Sequence, residues 1–372
     1  MSPIYVGTGT EDSEARSLTI GLPLLSSDPV SPQAGDYYYN TTENNARYYD
    51  GTQWVRASGV DDLYSFTTYT FNEPDWGRDG TAWSTYQSRY SGEAFLTTGN
   101  LVQGQYTGFH KLTLPATATY EFEAAGAPGS KCDGNNYYGG RGIILKGRMN
   151  LNAGDIIQFS MGKSGESDSQ GYNGGGGGGT FIVKNEFFTG SQTDANIILV
   201  AGGGAGGAYN ATYNANPQDA HASTNGRDGQ GGGIYGAGGT NGNGGDGRGY
   251  GGNNGSGGPG AGIYSAPSNY SVHGSYSPPS AWKDGGQGGR GYYTSSGGQG
   301  HQSGFGGAGG GGNYAGGSGG GYSGGGGGAG NGQSSGGGGS YTANLSNVST
   351  VGYRGTGQVV KPAGGYVKIT IV

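Results

Sequence analysis

Between Gly285 and Gly339, 31 of 55 residues are glycine, in runs such as GGQGGRG, GFGGAGGGG and GGSGGGYSGGGGGAG. A second block, Gly226–Gly262, has the same character, and the shorter runs Gly174–Gly179 and Gly202–Gly207 precede it. Residues without side chains cannot build a hydrophobic face. Such stretches are therefore either flexible filler or are ordered by the backbone alone. Glycine in regular structure costs about 0.5–1 kcal/mol more than alanine in lost freedom, so order demands dense backbone hydrogen bonding. Extended helices of the polyproline-II type, with three residues per turn and no internal hydrogen bonds, supply it when packed side by side. Without Cβ atoms, neighbouring backbones approach closely enough to bond one another. That arrangement predicts a glycine period of three. It appears in pieces: Gly236, Gly239, Gly242 and Gly245; Gly300, Gly306, Gly309 and Gly312 with Ser303 in the gap; Gly321, Gly324, Gly327 and Gly330. The other residues of these runs are expected at the surface of the bundle or at its turns.

Composition removes the main competitors. Glycine is 92 of 372 residues and proline only 13, which excludes collagen. A net charge of −6 is too weak for charge-driven disorder. The acidic balance with scattered Lys and Arg argues against nucleic acid as a partner. No apolar stretch approaches the roughly 18 residues of a membrane span, and the start MSPIYVGTGT gives no expectation of a secretory signal. Cys132 is the single cysteine, so no internal disulfide is expected. A charge-poor chain rich in Tyr, Gly, Ser and Asn suits a protein assembled inside a cell that works outside it.

The rest of the chain reads as strands. In residues 1–59, after LTIGLPLL (Leu18–Leu25) and the turn DPVSP, AGDYYYNTTENNARYYDGTQWVRAS reads as a β meander. Its strands are Tyr37–Tyr39, Arg47–Tyr49 and Gln53–Arg56, with Asp50-Gly51 as a two-residue turn. Such a meander is marginal alone and suits an attachment module. From residue 60 side-chain variety is ordinary. Thr67–Phe71 and Phe109–Leu114 read as strands, and Thr81–Tyr90 as the one helix, capped by Thr81, with Trp83, Tyr86 and Tyr90 at helical spacing. Tyr120, Phe122 and Ala124 alternate with Glu121 and Glu123; Ile143, Leu145, Met149 and Leu151 share a face; so do Ile157, Phe159 and Met161. Thr180–Phe188 and Asn196–Ala201 follow, the latter apolar enough for burial on both faces. The chain ends GYVKITIV, where Val367, Ile369 and Ile371 alternate with Tyr366, Lys368 and Thr370.

Several short strands punctuated by turns argue a β-sandwich or jelly roll. The last strand lies beyond roughly 160 glycine-rich residues yet has a core pattern. If it joins the same sandwich, both ends of the glycine-rich segment are anchored and the segment is an excursion from it. The expected organisation is mainly β. Residues 1–59 form an attachment meander, and residues 60–201, completed by strand 365–372, form a sandwich. Residues 202–364 form a glycine-rich bundle.

Five segments carry a resemblance: LPATATYEFEAAGAPG, NLNAGDIIQFSMGKSGE, GYNGGGGGGTFIV, NIILVAGGGAGGAY and the terminal GGYVKITIV. Together, over about 115–372, they resemble the glycine-rich extracellular domain of the anaplastic lymphoma kinase receptor and glycine-rich phage tail-fibre proteins. The resemblance implies a TNF-like, jelly-roll sandwich carrying a polyglycine-II helix bundle. T-even phage distal adhesins share the bundle without this sandwich. The N-terminal pattern AGD-x-YYN…YDG-x-W resembles units that recur in phage tail-fibre and virion proteins. Because the chain departs from the receptor in lacking a signal, further cysteines, a span and a kinase, the phage version fits better. It implies a virion location, assembly in the host cytoplasm, and contacts with other tail proteins through residues 1–59. Fibres imply a homotrimer; the glycine-bundle adhesins are also compatible with a monomer.

No catalytic constellation emerges, and no cofactor or metal site. MGKSG (Met161–Gly165) lacks the first glycine of a phosphate-binding loop, its place being taken by Ile157, so it reads as a strand-end turn. His110, His221, His273 and His301 are scattered and read as solvated or loop histidines. Glu73, Asp75, Asp79 and Glu93 could include a carboxylate pair, but their spacing is also that of a polar loop.

What remains is surface recognition. The glycine runs are interrupted by Ala208–Ser223, Ile263–Asp284, Arg290–Ser296 and Asn313–Ser318, which carry Tyr213, Tyr264, Tyr270, Tyr276, Trp282, Tyr292, Tyr293 and Tyr314. Rigid amphipathic aromatics mixed with Ser, Gly and Asn are the composition of antibody paratopes. In glycine-bundle adhesins the loops between polyglycine helices contact the host, so the resemblance makes these eight residues receptor-binding candidates. Their partner would be a host surface glycan or protein. The alternative is that they only cap the bundle. Two further readings stay open: a purely structural fibre or decoration protein, and a cellular extracellular ligand-binding module.

Overall fold

Alternation of apolar and polar residues places the strands, and backbone hydrogen bonding places nearly everything else. The computed structural model describes the chain except residues 1–22, 42–44, 50, 57–63, 133–137, 167–172, 209–217, 231–234, 248–255, 270–276, 292–300, 313–314, 330–332 and 356–362. It divides into two units, Met1–Asp62 and Leu63–Val372.

The first unit is one sheet of four strands, β1 (Leu24–Leu25), β2 (Tyr37–Asn40), β3 (Asn45–Tyr49) and β4 (Trp54–Arg56), in sequential order. β1 runs parallel to β2 and the other pairs are antiparallel. Tyr38 is buried edge-on against Trp54 at 4.9 Å, and its hydroxyl donates to Asp28, which also pairs with Arg47 at 2.8 Å. Tyr49 pairs with Trp54, so four residues, 50–53, connect β3 and β4 instead of the expected two-residue turn. This register lets the Trp54 ring meet both Tyr38 and Tyr49.

The second unit holds two five-stranded antiparallel sheets. Its strands are β5 (Thr68–Asn72), β6 (Leu101–Gln103), β7 (Phe109–Thr113), β8 (Ala118–Ala125), β9 (Gly142–Leu151), β10 (Ile156–Ser160), β11 (Thr180–Lys184), β12 (Ile197–Ala201), β13 (Ser346–Arg354) and β14 (Tyr366–Ile371). One sheet has the order β13-β9-β8-β14-β5 and the other β12-β11-β10-β7-β6. The C-terminal β14 pairs with β8 and β5 in the middle of its sheet, as its alternation predicted. One core lies between the sheets. Phe122, Leu145, Val367 and Ile369 come from the first sheet, Leu112, Ile157, Phe159 and Ile182 from the second, and Tyr86, Tyr90 and Phe95 fill one end.

Three local expectations are corrected. The helix α1 is Trp83–Arg89, and Thr81 does not cap it: its hydroxyl donates to the buried Glu73 at 2.8 Å, beside Tyr86 Oη at 2.6 Å. Satisfying a buried carboxylate outweighs a cap that water can replace. The end of the expected strand 180–188 forms a short helix instead, α2 (Glu186–Thr189). β13 was expected inside the bundle. As an edge strand with two register shifts it has a solvated face and no alternation to betray it.

The glycine-rich segments form a lattice of extended passes held by backbone hydrogen bonds. Gly174 and Gly177 donate to Gly207 and Gly204; Gly175 and Gly178 to Glu166 and Lys163; Gly176 and Gly179 to Gly309 and Gly306, all at 2.8–3.2 Å. Each step of three residues returns to the same neighbour three residues along. A backbone with three residues per turn addresses three neighbours in this way. The next pass mixes directions: Gly203 and Gly206 bond antiparallel to Gly320 and Gly317, and Gly204 and Gly207 bond parallel to Ala127 and Ser130. Side chains are excluded sterically, since a Cβ at Gly176 or Gly178 would overlap the carbonyl oxygen of Ser318 or Phe305.

The lattice starts before residue 202. Residues 126–132, 138–141, 161–166 and 173–179 belong to it, extending the ends of β8, β10 and their neighbours. MGKSG is therefore part of a pass, not a turn. The expected glycine series are broken by turns: Gly242 and Gly306 have φ of +77° and +104° at reversals of the chain. Nor are the non-glycine residues all at the surface. Ser303 and Ser318 are fully buried, and the Ser318 hydroxyl lies 2.9 and 2.8 Å from the carbonyl oxygens of Gly258 and Gly326. A serine hydroxyl is small enough to enter the lattice and satisfies carbonyls there.

Candidate functional site: the two ends of the glycine lattice

The passes have a near end, against the sandwich, and a far end. At the near end the described turns 222–225, 240–243, 263–265, 282–286, 305–307 and 321–323 reverse the chain. Here a second apolar cluster joins Phe109, Phe181, Val183, Ile197 and Val200, on the outer face of the β12-β11-β10-β7-β6 sheet, to Ile263, Trp282, Phe305, Tyr322 and Tyr341. The sheet is thus covered on both faces, which is why β12 (IILVA) is entirely buried.

Trp282 is the centre of that cluster. Its ring stacks on Phe109 and Phe181, each at 4.8 Å, and its Nε1 donates to Ser160 Oγ at 2.7 Å. A short turn over Trp282–Asp284, with Gly285 and Gly286 at φ +111° and +62°, then sends the chain back up the lattice. Trp282 is 0% exposed, which corrects its expected role: it is an anchor and offers no surface to a receptor. Tyr264 is another near-end residue. Its ring stacks on Phe187, and its hydroxyl donates to Asp194 Oδ1 at 2.6 Å, where Tyr322 Oη also donates. Burial, followed by the bond to Asp194, pushes both phenol pKa values above the ordinary range. These tyrosines remain neutral donors that pin the lattice turns to the sandwich.

The other six candidates, Tyr213, Tyr270, Tyr276, Tyr292, Tyr293 and Tyr314, lie outside the described residues. The passes that flank them end together. Gly174 N–H donates to Gly207 O, and Asn173 Nδ2 donates to Gly312 O at 2.5 Å. Gly291 lies against His301 and Gly311, and Gly312 N–H reaches Ala315 O. Arg290 N–H donates to Ser277 O. The ends at 173, 207, 277, 291, 301, 312 and 315 therefore meet at the far end.

Two aromatic residues there escaped the sequence reading. Tyr138 and Tyr235 are 41% and 46% exposed. NNYYGG and GGGIYG, which hold them, set Tyr among Gly as the segments singled out do, and that signal could have found them. Tyr235 also borders a polar groove of about 640 Å³ with Gln218, His221, Arg227 and Gln230. The expectation of solvated histidines is corrected for His110 and His301, both buried; His221 is exposed and bonds Ser223 Oγ; His273 lies outside the described residues. Among the described residues no group of His, Cys, Asp or Glu could hold a metal ion, and no helix is long and apolar enough to cross a membrane. Comparison with protein-family models and with curated proteins returned no match.

Proposed function

We propose that this chain is a non-enzymatic virion fibre or adhesin protein that binds a host cell-surface glycan or protein through the segments at the far end of its glycine lattice. In this reading the two sheets are a TNF-like, jelly-roll pedestal and the lattice is a polyglycine-II bundle. The first unit docks on another virion component. The carrying observation is the meeting of the passes that flank six tyrosine candidates, at the end opposite the buried Trp282 anchor. A threefold bonding pattern with mixed pass directions supports the polyglycine-II assignment. Tight backbone packing suits a recognition surface because it holds several short segments on a rigid base at small cost in flexibility.

The test exchanges residues 270–276 and 292–300 for Gly/Ser sequences of equal length and measures adsorption of labelled protein to a panel of bacterial strains and to a glycan array. Loss of binding with an unchanged melting temperature is expected. Undiminished binding contradicts the assignment. The burial of Trp282 and Tyr264 favours a structural role for those two aromatics. A wholly structural fibre predicts no adsorption by the intact protein either.

A further inference from the structure

Away from the far end, the connection from β5 to α1 crosses the side of the lattice and encloses a cleft of about 320 Å³. The connection is fixed at several points. Trp76 forms a bridge with Ser164, Gly77 N–H donates to Ser164 O at 3.0 Å, and Phe305 N–H donates to Gly77 O at 2.8 Å. Arg78 is tied on both sides, Gly288 N–H donating to its carbonyl and its Nε donating to Gly288 O. The cleft walls are therefore preformed.

Trp76, 40% exposed, lines the cleft, and so does Lys163, only 7% exposed. Among the described residues the Lys163 ammonium has no hydrogen-bond or ion-pair partner, although it lies in the field of Glu73, Asp75 and Asp79. Burial lowers its pKa and those carboxylates oppose the shift. Most of the Lys163 side chain is buried, and as a lining residue of the cleft it can offer its three donors there. Asp79 Oδ1 accepts from Gln287 Nε2 at 2.5 Å, which leaves its Oδ2 without a partner among the described residues. Asp75 is held on the rim by Arg89 at 3.6 Å.

We propose that this cleft binds one ring of a neutral saccharide. Trp76 provides an apolar platform for the C–H face of the ring. Lys163 donates to ring hydroxyl oxygens, and Asp79 accepts from a neighbouring hydroxyl. The nearby charges Asp75, Asp79 and Glu73 offset Lys163, Arg78 and Arg89, so an anionic ligand gains little and a polyhydroxylated neutral one matches both donors and acceptors. The volume lies at the small end of ligand sites, suited to a monosaccharide unit. The site is separate from the far-end segments and does not rest on their role.

The test is saturation-transfer NMR on the full chain with the methyl glycosides of glucose, galactose, mannose and N-acetylglucosamine, and with methyl glucuronide as the acidic comparator. Transfer to at least one neutral glycoside is expected. Trp76→Ala and Lys163→Met should each abolish it or weaken it at least tenfold, and Lys163→Met should melt no lower than the parent. A chain with exchanged far-end segments should retain it. Absence of transfer to every neutral glycoside, transfer to the glucuronide alone, or undiminished transfer in both variants overturns the proposal.

Discussion

His110 lies on β7 against Tyr86, Trp83 and Phe159, and among the described residues neither ring nitrogen has a hydrogen-bond partner. Desolvation is the main cause that lowers its pKa from the usual value of 6.5 to about 3, with Arg89 adding a little. The fold therefore holds the neutral imidazole, whereas the unfolded chain takes up a proton below pH 6.5. This group's stabilising effect is complete above that value and is lost as pH falls from about 6.5 towards 3. The loss amounts to on the order of 2 kcal/mol by pH 5. His110→Leu removes the linkage, and thermal melts at pH 7 and pH 5 should show a smaller acid-induced drop in Tm for the variant than for the parent. Equal drops would mean that the ring has access to water. Sequence spacing could not reveal this residue: FHKLT places His110 on the same face as Leu112, but only the packing of α1 over that face dries it.

Among the elements, the lattice passes are unusual because many of their backbone partners are distant in sequence. Gly203 donates to Gly320, and its own Cα faces the carbonyls of Gly177 and Gly178. A methyl group there meets backbone that cannot rotate away. Gly203→Ala should cost about 1–3 kcal/mol or more, as overpacking does, and lower the melting temperature by several degrees. Gly92→Ala, where an added Cβ meets nothing within 4 Å and φ is not positive, should leave it within a degree or so and serves as the control. Equal melting temperatures would remove the steric basis of the lattice. The existence of strands such as β8 and β14 was legible because alternation survives burial on one face. The lattice was legible only as a short period of three. Its boundaries were not, because turns such as 240–243 keep the glycine spacing while reversing the chain, and because serine and alanine enter its interior. β13 and β6 were missed for the opposite reason: each lies at a sheet edge, where solvent tolerates any pattern.

At the scale of the molecule, the glycine-rich chain leaves the sandwich after β12 and returns to it at β13, and its near-end turns cover a sheet face that would otherwise be apolar and exposed. Sandwich and lattice are thus interdependent, with Trp282 and the Asp194–Tyr264–Tyr322 cluster as the joint. The sequence offered receptor contact and capping of the bundle as alternatives for its aromatic residues and could not sort them, since Tyr264, Trp282 and Tyr235 sit in segments of similar composition. Their positions relative to the two ends decide, and those follow from tertiary packing alone. The central claim is that the glycines are folded by bonds between passes, because a threefold extended chain has none within itself. Amide hydrogen exchange read by mass spectrometry tests it most directly. Peptides covering residues 174–179, 202–207 and 315–321 should exchange as slowly as those from β8 and β14. Exchange of these peptides within seconds, at the rate of an unstructured chain, would contradict it.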